Sequence, residues 1–321
     1  MVVVISTDHS INLNEKMKNI ISIVQAKKYS QDDIRDAVYQ SLDLIGYNPC
    51  SKIHKISIKV NLCYYWHYST GETTDPRVVS SVIDYIREKW DANSRIYIVE
   101  SDASAVRMKY AFKMLGYEEL AKKKQVSLVN LTEQNSKTIY VTCGDYVFKF
   151  QLPNILSESD IFISIPKPKY HTATEMSCAL KNQFGCNPQP RKIIYHSKLD
   201  EAIVALNKIF KPNLILVDGI IVRGDYPTKI GLILAGTNSL AVDFIVAKIM
   251  GFDPFKIKHI AIAIEEKLGD VEDIMLVGTE IKDLKRKFPR LSKSSKAHEY
   301  LMKLESLGYD IYLKFTRVPL Y

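Results

Sequence analysis

The stretch from Asp160 to His196, DIFISIPKPKYHTATEMSCALKNQFGCNPQPRKIIYH, concentrates the residues of this chain that could do chemistry. An apolar run (Ile161, Phe162, Ile163 and Ile165) stops at Pro166, and Lys167, Lys169, His171, Thr172, Lys181, Asn182, Arg191 and His196 follow. Six of these eight are bases or cations, and only Glu175 opposes them. A strand that ends in a cationic loop points to a site for an anion. Lys167, Lys169 and His171 alternate, and alternate side chains of extended backbone share a face. Pro166 and Pro168 stiffen the loop. The plainer alternative is a surface loop with three solvated bases. Thr172 and Thr174 suit the cap of a helix that contains Lys181 and Asn182. Its N–H groups and positive end would add to the anion attraction, with Lys181 two turns in. The plainer role for Lys181 is a snorkelling surface lysine. Arg191 suits bidentate contact with carboxylate or phosphate. His196 suits acid, base or ligand chemistry near neutral pH. Taken alone, each of these two is more often structural.

An acidic set stands opposite: Glu100, Asp102, Asp218 and Asp243. Carboxylates beside a cationic loop bind Mg²⁺, act as a base, or pair with the lysines. Asp243 lies in the apolar helix SLAVDFIVAKIMG and must find a partner if it faces inward. Thr73, Thr74 and Asp75 precede a helix start, where a capping motif is the simple account and an anion-holding amide nest the functional one. No dinucleotide or P-loop glycine pattern, no Gly-x-Ser-x-Gly elbow and no His-Glu-x-x-His is present. Cys178, Cys186, His171 and His196 are close in sequence, but their spacing fits no standard metal template. The residues therefore assign no metal ligands. The cofactor stays open, with Mg²⁺ or another metal among the alternatives.

The elements that must position these groups alternate short β-branched runs with helical periods, an α/β pattern. Strands are expected at Val2–Ile5, Lys55–Val60, Arg95–Val99, Val126–Leu131, Ile161–Ile165, Leu214–Val217 and near Ile274–Val277. Thr138–Thr142 and Tyr146–Gln151 flank Cys143-Gly144-Asp145 as a hairpin outside the main set. Helices are expected from Ser30 to Ile45, from Asp75-Pro76 to about Trp90, up to about Gly116, and at about Leu199–Phe210, Ser239–Met250 and Ile257–Leu268. Four strands end in polar tips. These are Lys59 with Asn61, Glu100-Ser101-Asp102, the cationic loop, and Asp218-Gly219. Ligands of an open parallel sheet bind outside the carboxyl ends of its strands. If the four strands are neighbours, their tips meet in one cleft. The expected fold is α/β, a mostly parallel sheet flanked by helices, with an inserted β-hairpin and a basic C-terminal extension. Residues 1–280 read as a single α/β domain and residues 281–321 as the extension.

The chain has 321 residues, 46% hydrophobic and 25% charged, and carries a net charge of +8. These are the proportions of an ordinary globular protein. Residues 281–321 hold ten Lys/Arg against four Asp/Glu, so +6 lies there and +2 in the rest. The cluster KDLKRKFPRLSKSSK (Lys282–Lys296) could serve a protein partner, an anionic surface or nucleic acid, or be a solvated terminal segment. The body does not look like a nucleic-acid binder, and no membrane association is expected. No apolar run is long enough to span a bilayer. MVVVISTDHS lacks a basic start and a long apolar run, so no signal peptide is read. Five scattered cysteines without Cys-x-x-Cys argue against a disulfide framework or an iron–sulfur motif, and the expected location is cytoplasmic.

Six segments together resemble the family called domain of unknown function 362, an uncharacterised conserved α/β family of bacteria and archaea. They are IKVNL (Ile58–Leu62), TTDPRVV (Thr73–Val79), IPKPKYHTATEMSCALKNQFG (Ile165–Gly185), RKIIYH (Arg191–His196), LVDGI (Leu216–Ile220) and AVDFIVAKIMGFDP (Ala241–Pro254). The resemblance runs from about Lys59 to Gly269. It implies no general reaction. Many relatives carry a four-iron ferredoxin-like cysteine cluster, which implies redox metabolism, and this chain has none. It departs again at Arg223-Gly224-Asp225-Tyr226-Pro227, where relatives show a glycine-rich turn. The leading expectation is an enzyme for a small carboxylate- or phosphate-bearing substrate. Lys59, Lys167, Lys169, Lys181 and Arg191 would hold the anion. Asn61, Thr74, Asp75, Thr172, Asn182 and His196 would complete the binding site. His171 would act as general acid or base, oriented by Glu100 or Asp218, with Lys169 beside it. The other expectation is a non-catalytic redox or cofactor-delivery partner protein that docks through the basic tail.

Overall fold

A computed structural model describes residues 3–5, 19–49 and 52–289, with Val3–Ile5 and Arg286 described in backbone only. β1 (Val3–Ile5) and β2 (Asn19–Gln25) come first. Ser30 then caps α1 (Gln31–Ile45) by accepting from the Asp33 amide, and Gly46 closes the helix at φ 60°. β3 (Lys55–Lys59) leads through a long loop to α2 (Pro76–Lys89), which has Asp75 as its cap and Pro76 in its first turn. β4 (Arg95–Glu100), α3 (Met108–Met114), α4 (Tyr117–Lys124) and β5 (Ser127–Asn130) follow. The hairpin β6 (Ser136–Cys143) and β7 (Tyr146–Pro153) forms a separate two-stranded sheet. Then come α5 (Asn154–Ser157), β8 (Ile161–Ser164), β9 (Lys169–His171), β10 (Glu175–Ser177), α6 (Ala179–Asn182) and α7 (Leu199–Ile209). The described chain ends with β11 (Leu214–Arg223), β12 (Pro227–Gly236), α8 (Ser239–Met250), α9 (Lys258–Glu265), β13 (Ile274–Gly278) and α10 (Ile281–Lys287).

The main sheet runs β1-β13-β2-β12-β11-β8-β3-β4-β5, with β9 on the far end of β11 and β10 on β9. From β11 to β5 every pairing is parallel, as are β1–β13 and β13–β2. β12 is antiparallel to both of its neighbours, β11 and β2. The fold is therefore α/β, a mostly parallel mixed sheet flanked by helices with a β-hairpin beside it. Alternation along the strands divides the core. Leu214, Leu216 and Ile220 pack toward the layer that contains α1 and α2, while Ile215 and Val217 pack toward α7 and α8. Both faces are covered, so β11 and β8 read as continuous apolar runs.

Three expectations need correction. β2 and β12 were not read as strands. NIISIVQ shows no period-two alternation, and PTKIGLILAG carries a proline and two glycines, which weaken a strand signal. The strand read as Leu214–Val217 runs on to Arg223, and the turn of a hairpin with β12 follows at residues 223–227. No helix starts at Thr174. Its hydroxyl bonds the Met176 carbonyl, β10 follows, and α6 is a single turn, so Lys181 lies in the first turn and not two turns in. Beyond α10 the basic cluster lies outside the described residues, as does Cys50. No helix among the described residues is long and apolar enough to cross a membrane.

Candidate functional site

β11, β8, β3 and β4 are adjacent and parallel, so the polar ends of β3, β4 and β8 lie side by side next to Asp218, which stands midway along β11. The tips do not line an open cleft. Residues 182–192 fold over them, and most of the charged groups are buried in matched pairs. Lys59 Nζ lies 2.8 Å from Glu100 Oε2 and also donates to the Val60 carbonyl at 2.6 Å. Glu100 takes further N–H bonds from Leu62 and Ser101. Lys167 Nζ lies 3.0 Å from Asp218 Oδ1, without the direction of a well-formed hydrogen bond. Burial pushes the Asp218 carboxyl up, the Lys167 charge opposes this, and the Asp75 and Ile220 amides bond it. Lys169 Nζ meets Glu72 twice, at its carbonyl (2.7 Å) and Oε2 (3.2 Å), and also Asn61 Oδ1 (3.1 Å) and Cys63 Sγ (3.0 Å). Burial alone would lower Lys169, but the charges of Cys63 and Glu72 raise it.

Gly185 makes this roof fit. A Cβ there would stand 2.5 Å from Glu100 Oε1 and 2.6 Å from Lys59 Nζ. Ser101 holds the Gly185 carbonyl at 2.7 Å. Gly185→Ala is therefore expected to cost about 1–3 kcal/mol through overpacking of the buried pair. Urea unfolding checks this, and unchanged stability would mean that the roof yields freely.

The remaining candidates divide clearly. Thr74 and Asp75 spend their groups inside the protein. Thr74 Oγ1 donates to the Ile165 carbonyl and receives the Asn61 amide, and Asp75 caps α2 and binds Arg77. The capping account therefore holds, and the Asp75 amide is taken by Asp218. Asn182 ties Asn61, Lys59 and Ser164 together. Thr172 is half-buried in the turn between β9 and β10. Arg191 and His196 are exposed, whereas their neighbour Lys192 is buried. Lys192 Nζ bonds Ser101 Oγ (2.6 Å) and the Asp102 carbonyl (2.7 Å), and burial lowers it to about 8 against the pull of Glu100. The sequence reading missed Lys192 and also Glu72 and Cys63. The run Cys63–Tyr68, CYYWHY, directly after Asn61, was the available signal.

His171 is not oriented by Glu100 or Asp218, because both carboxylates are committed to lysines. Its Nδ1 sits 3.0 Å from Thr174 Oγ1 and accepts the Ala173 amide at 3.3 Å. Nδ1 is therefore unprotonated, and the neutral ring carries its proton on Nε2. Burial, with Lys181 and Lys169 adding, holds His171 well below the usual histidine range. The ring is therefore neutral near pH 7.

Lys181 differs from the other lysines of the set. Asp243 in α8 takes the Ala179 and Leu180 amides at 2.6 and 2.9 Å and so caps the turn that carries it. Lys181 itself is half-buried, with Nζ 5.9 Å from the Phe184 ring centre. No carboxylate or hydrogen-bond acceptor among the described residues pairs with it. Burial lowers it to about 8, Cys63 opposing and Lys169 adding. Tyr64 and Trp66, both exposed, stack at 4.5 Å, with Lys169 Nζ 5.8 Å from the Tyr64 ring centre.

The described cysteines do not gather, and no three His, Cys, Asp or Glu among the described residues come together as metal ligands would. The described residues therefore do not form the ferredoxin-like cluster that the resemblance implies for relatives.

A family described as domain of unknown function (DUF362) matches residues 56–248. A thylakoid-associated protein of Synechocystis sp. is 25% identical over 269 residues, which cover 79% of this chain and 80% of that protein. A Thermotoga maritima protein of known crystal structure is 10% identical with a TM-score of 0.41, covering 67% of this chain and 57% of that one. The lactate racemase apoprotein of Thermoanaerobacterium thermosaccharolyticum is 13% identical with a TM-score of 0.38, covering 68% and 54%. The chain thus spans less than two thirds of both solved structures.

Proposed function

The chain belongs to the domain of unknown function 362 family, and we propose that it is a cytoplasmic enzyme for a small carboxylate- or phosphate-bearing substrate, held at Lys181 and His171. One observation carries this reading. Lys59, Lys167 and Lys169 each have a buried carboxylate, and Lys181 has no hydrogen-bond or ion-pair acceptor among the described residues. A half-buried ammonium without a counter-ion costs folding energy, and such groups cluster at functional sites. The substrate anion supplies the missing charge. His171 Nε2–H then donates to an oxygen of the bound substrate and polarises it. Asn61 and Cys63, both partly exposed, border the same space. Residues 1–280 act as the catalytic unit in this reading.

The test is the pH dependence of oxalate affinity, because the charge of oxalate is constant through the range concerned. A lysine is an ammonium below its pKa, so affinity should fall as pH rises through about 8. Lys181→Arg should keep its affinity to much higher pH, since a guanidinium stays protonated. A flat profile in the unaltered chain would remove Lys181 from the site.

A second reading rests on the charge run Lys282–Lys296. It makes the chain a non-catalytic partner that delivers a redox cofactor and docks through its basic tail. Complex formation would then weaken steeply with ionic strength and vanish on removal of residues 282–321.

A further inference from the structure

We infer that the chain carries a second oxyanion site, at the start of α8, built for hydrogen phosphate or a phosphate monoester. β12 runs antiparallel to β11 and ends at Gly236 opposite Ile215, so Thr237–Ser239 emerge at the opposite end of the sheet from Asp218. A cavity of about 190 Å³ opens there. Asn207, Lys211, Thr237, Asn238, Ser239 and Lys267 contribute its polar lining, and no Asp or Glu among the described residues lines it.

Three features point to the ligand. α8 has twelve residues, and the first N–H groups of a helix have no partner within it. Asn238 caps only the Ala241 amide with its side chain, so the positive helix end faces the cavity. Second, the Ser239 hydroxyl is buried, lines the cavity and has no hydrogen-bond partner among the described residues. Third, the buried Asn207 amide has a fixed orientation. Its Nδ2 donates to the Leu180 and Ile203 carbonyls at 2.7 and 2.9 Å, and its Oδ1 has no partner among the described residues. A buried polar group without a partner is costly, so both atoms call for one. Lys211 and Lys267 add two positive charges at an exposed mouth.

The site therefore presents several donors and one pure acceptor. A fully deprotonated oxyanion satisfies the donors and leaves Asn207 Oδ1 bare. Hydrogen phosphate, or a phosphate monoester that keeps one proton, satisfies both. The cavity is smaller than the volume a drug-sized ligand occupies, so only a phosphate head enters.

Calorimetry on the full chain carrying Lys181→Met tests this, because that replacement removes the other proposed anion site. Inorganic phosphate, glycerol 3-phosphate and sulfate are the probes. One equivalent of phosphate or of its monoester should bind, with sulfate weaker by about tenfold or more. The stronger of the two phosphates tells a free ion from a monoester headgroup. Lys211→Gln with Lys267→Gln, both at exposed positions, should weaken binding by about tenfold or more, and Ser239→Ala should do the same. Absence of phosphate binding at millimolar concentration, equal affinity for sulfate, or unchanged binding in the double lysine variant would each overturn the site.

Discussion

Replacing Lys59 by Met is expected to cost the fold about 3–5 kcal/mol, the penalty for leaving one partner of a buried ion pair uncompensated. Lys59 and Glu100 are both almost wholly shielded from water. The pair is tolerated because its remaining groups are also bonded. Lys59 reaches the Val60 carbonyl and Asn182, and Glu100 accepts the Leu62 and Ser101 amides. Met fills similar space, so the loss is electrostatic and not a cavity. Glu100 would have to take up a proton or draw in water beneath Gly185, where there is no room. Replacing both residues, Lys59→Met with Glu100→Leu, should recover most of the stability, because a well-packed apolar pair often matches a buried ionic one. Urea unfolding of the single and double variants gives the coupling directly. A single variant of unchanged stability with lost oxalate affinity would return Lys59 to the binding role.

Lys181→Met should act in the opposite sense. Oxalate affinity should fall by about 100-fold, or about 2.7 kcal/mol, while stability stays level or rises. The amine is partly desolvated and has no acceptor, so the folded chain carries a cost that Met removes. A residue that weakens the fold and serves binding is the signature of a functional position. His171→Phe should lose less, about tenfold, because a neutral N–H donor is worth less than an ammonium. Calorimetry and thermal unfolding on the same samples separate the two effects. Lost stability with retained oxalate binding in Lys181→Met would make Lys181 a structural lysine and leave the anion without a holder.

The candidate groups were legible because their chemistry is written in residue type. A cationic loop after an apolar strand, two more strands with polar ends and the Asp75-Pro76 cap are all local signals, and the structure carries each of them, whereas Asp218 falls inside a longer strand. The helix expected from Thr174 failed for a local reason too. A threonine hydroxyl that can reach the Met176 carbonyl competes with the cap. The cap of α6 comes instead from Asp243, sixty-four residues away, and no sequence window contains both. β12 was hidden by Pro227 and its glycines, and its antiparallel place inside a mostly parallel sheet follows from a hairpin turn at residues 223–227.

The sequence by itself determined the α/β class, the family, the polar ends of three neighbouring strands and the excess of cations near them. Hydrophobic period, caps and charge are properties of neighbouring residues and need no fold to be read. Only the tertiary structure decided which cations have partners. Lys59, Lys167, Lys169 and Lys181 look alike along the chain, yet Glu100, Asp218 and Glu72 arrive beside the first three, while no described carboxylate forms an ion pair with the fourth and Asp200 acts on it only from farther off. Whether a charge is spent on the fold or kept for a ligand depends on burial and on the partner within a few ångströms, and both are set by strand order and by the roof that closes over the tips.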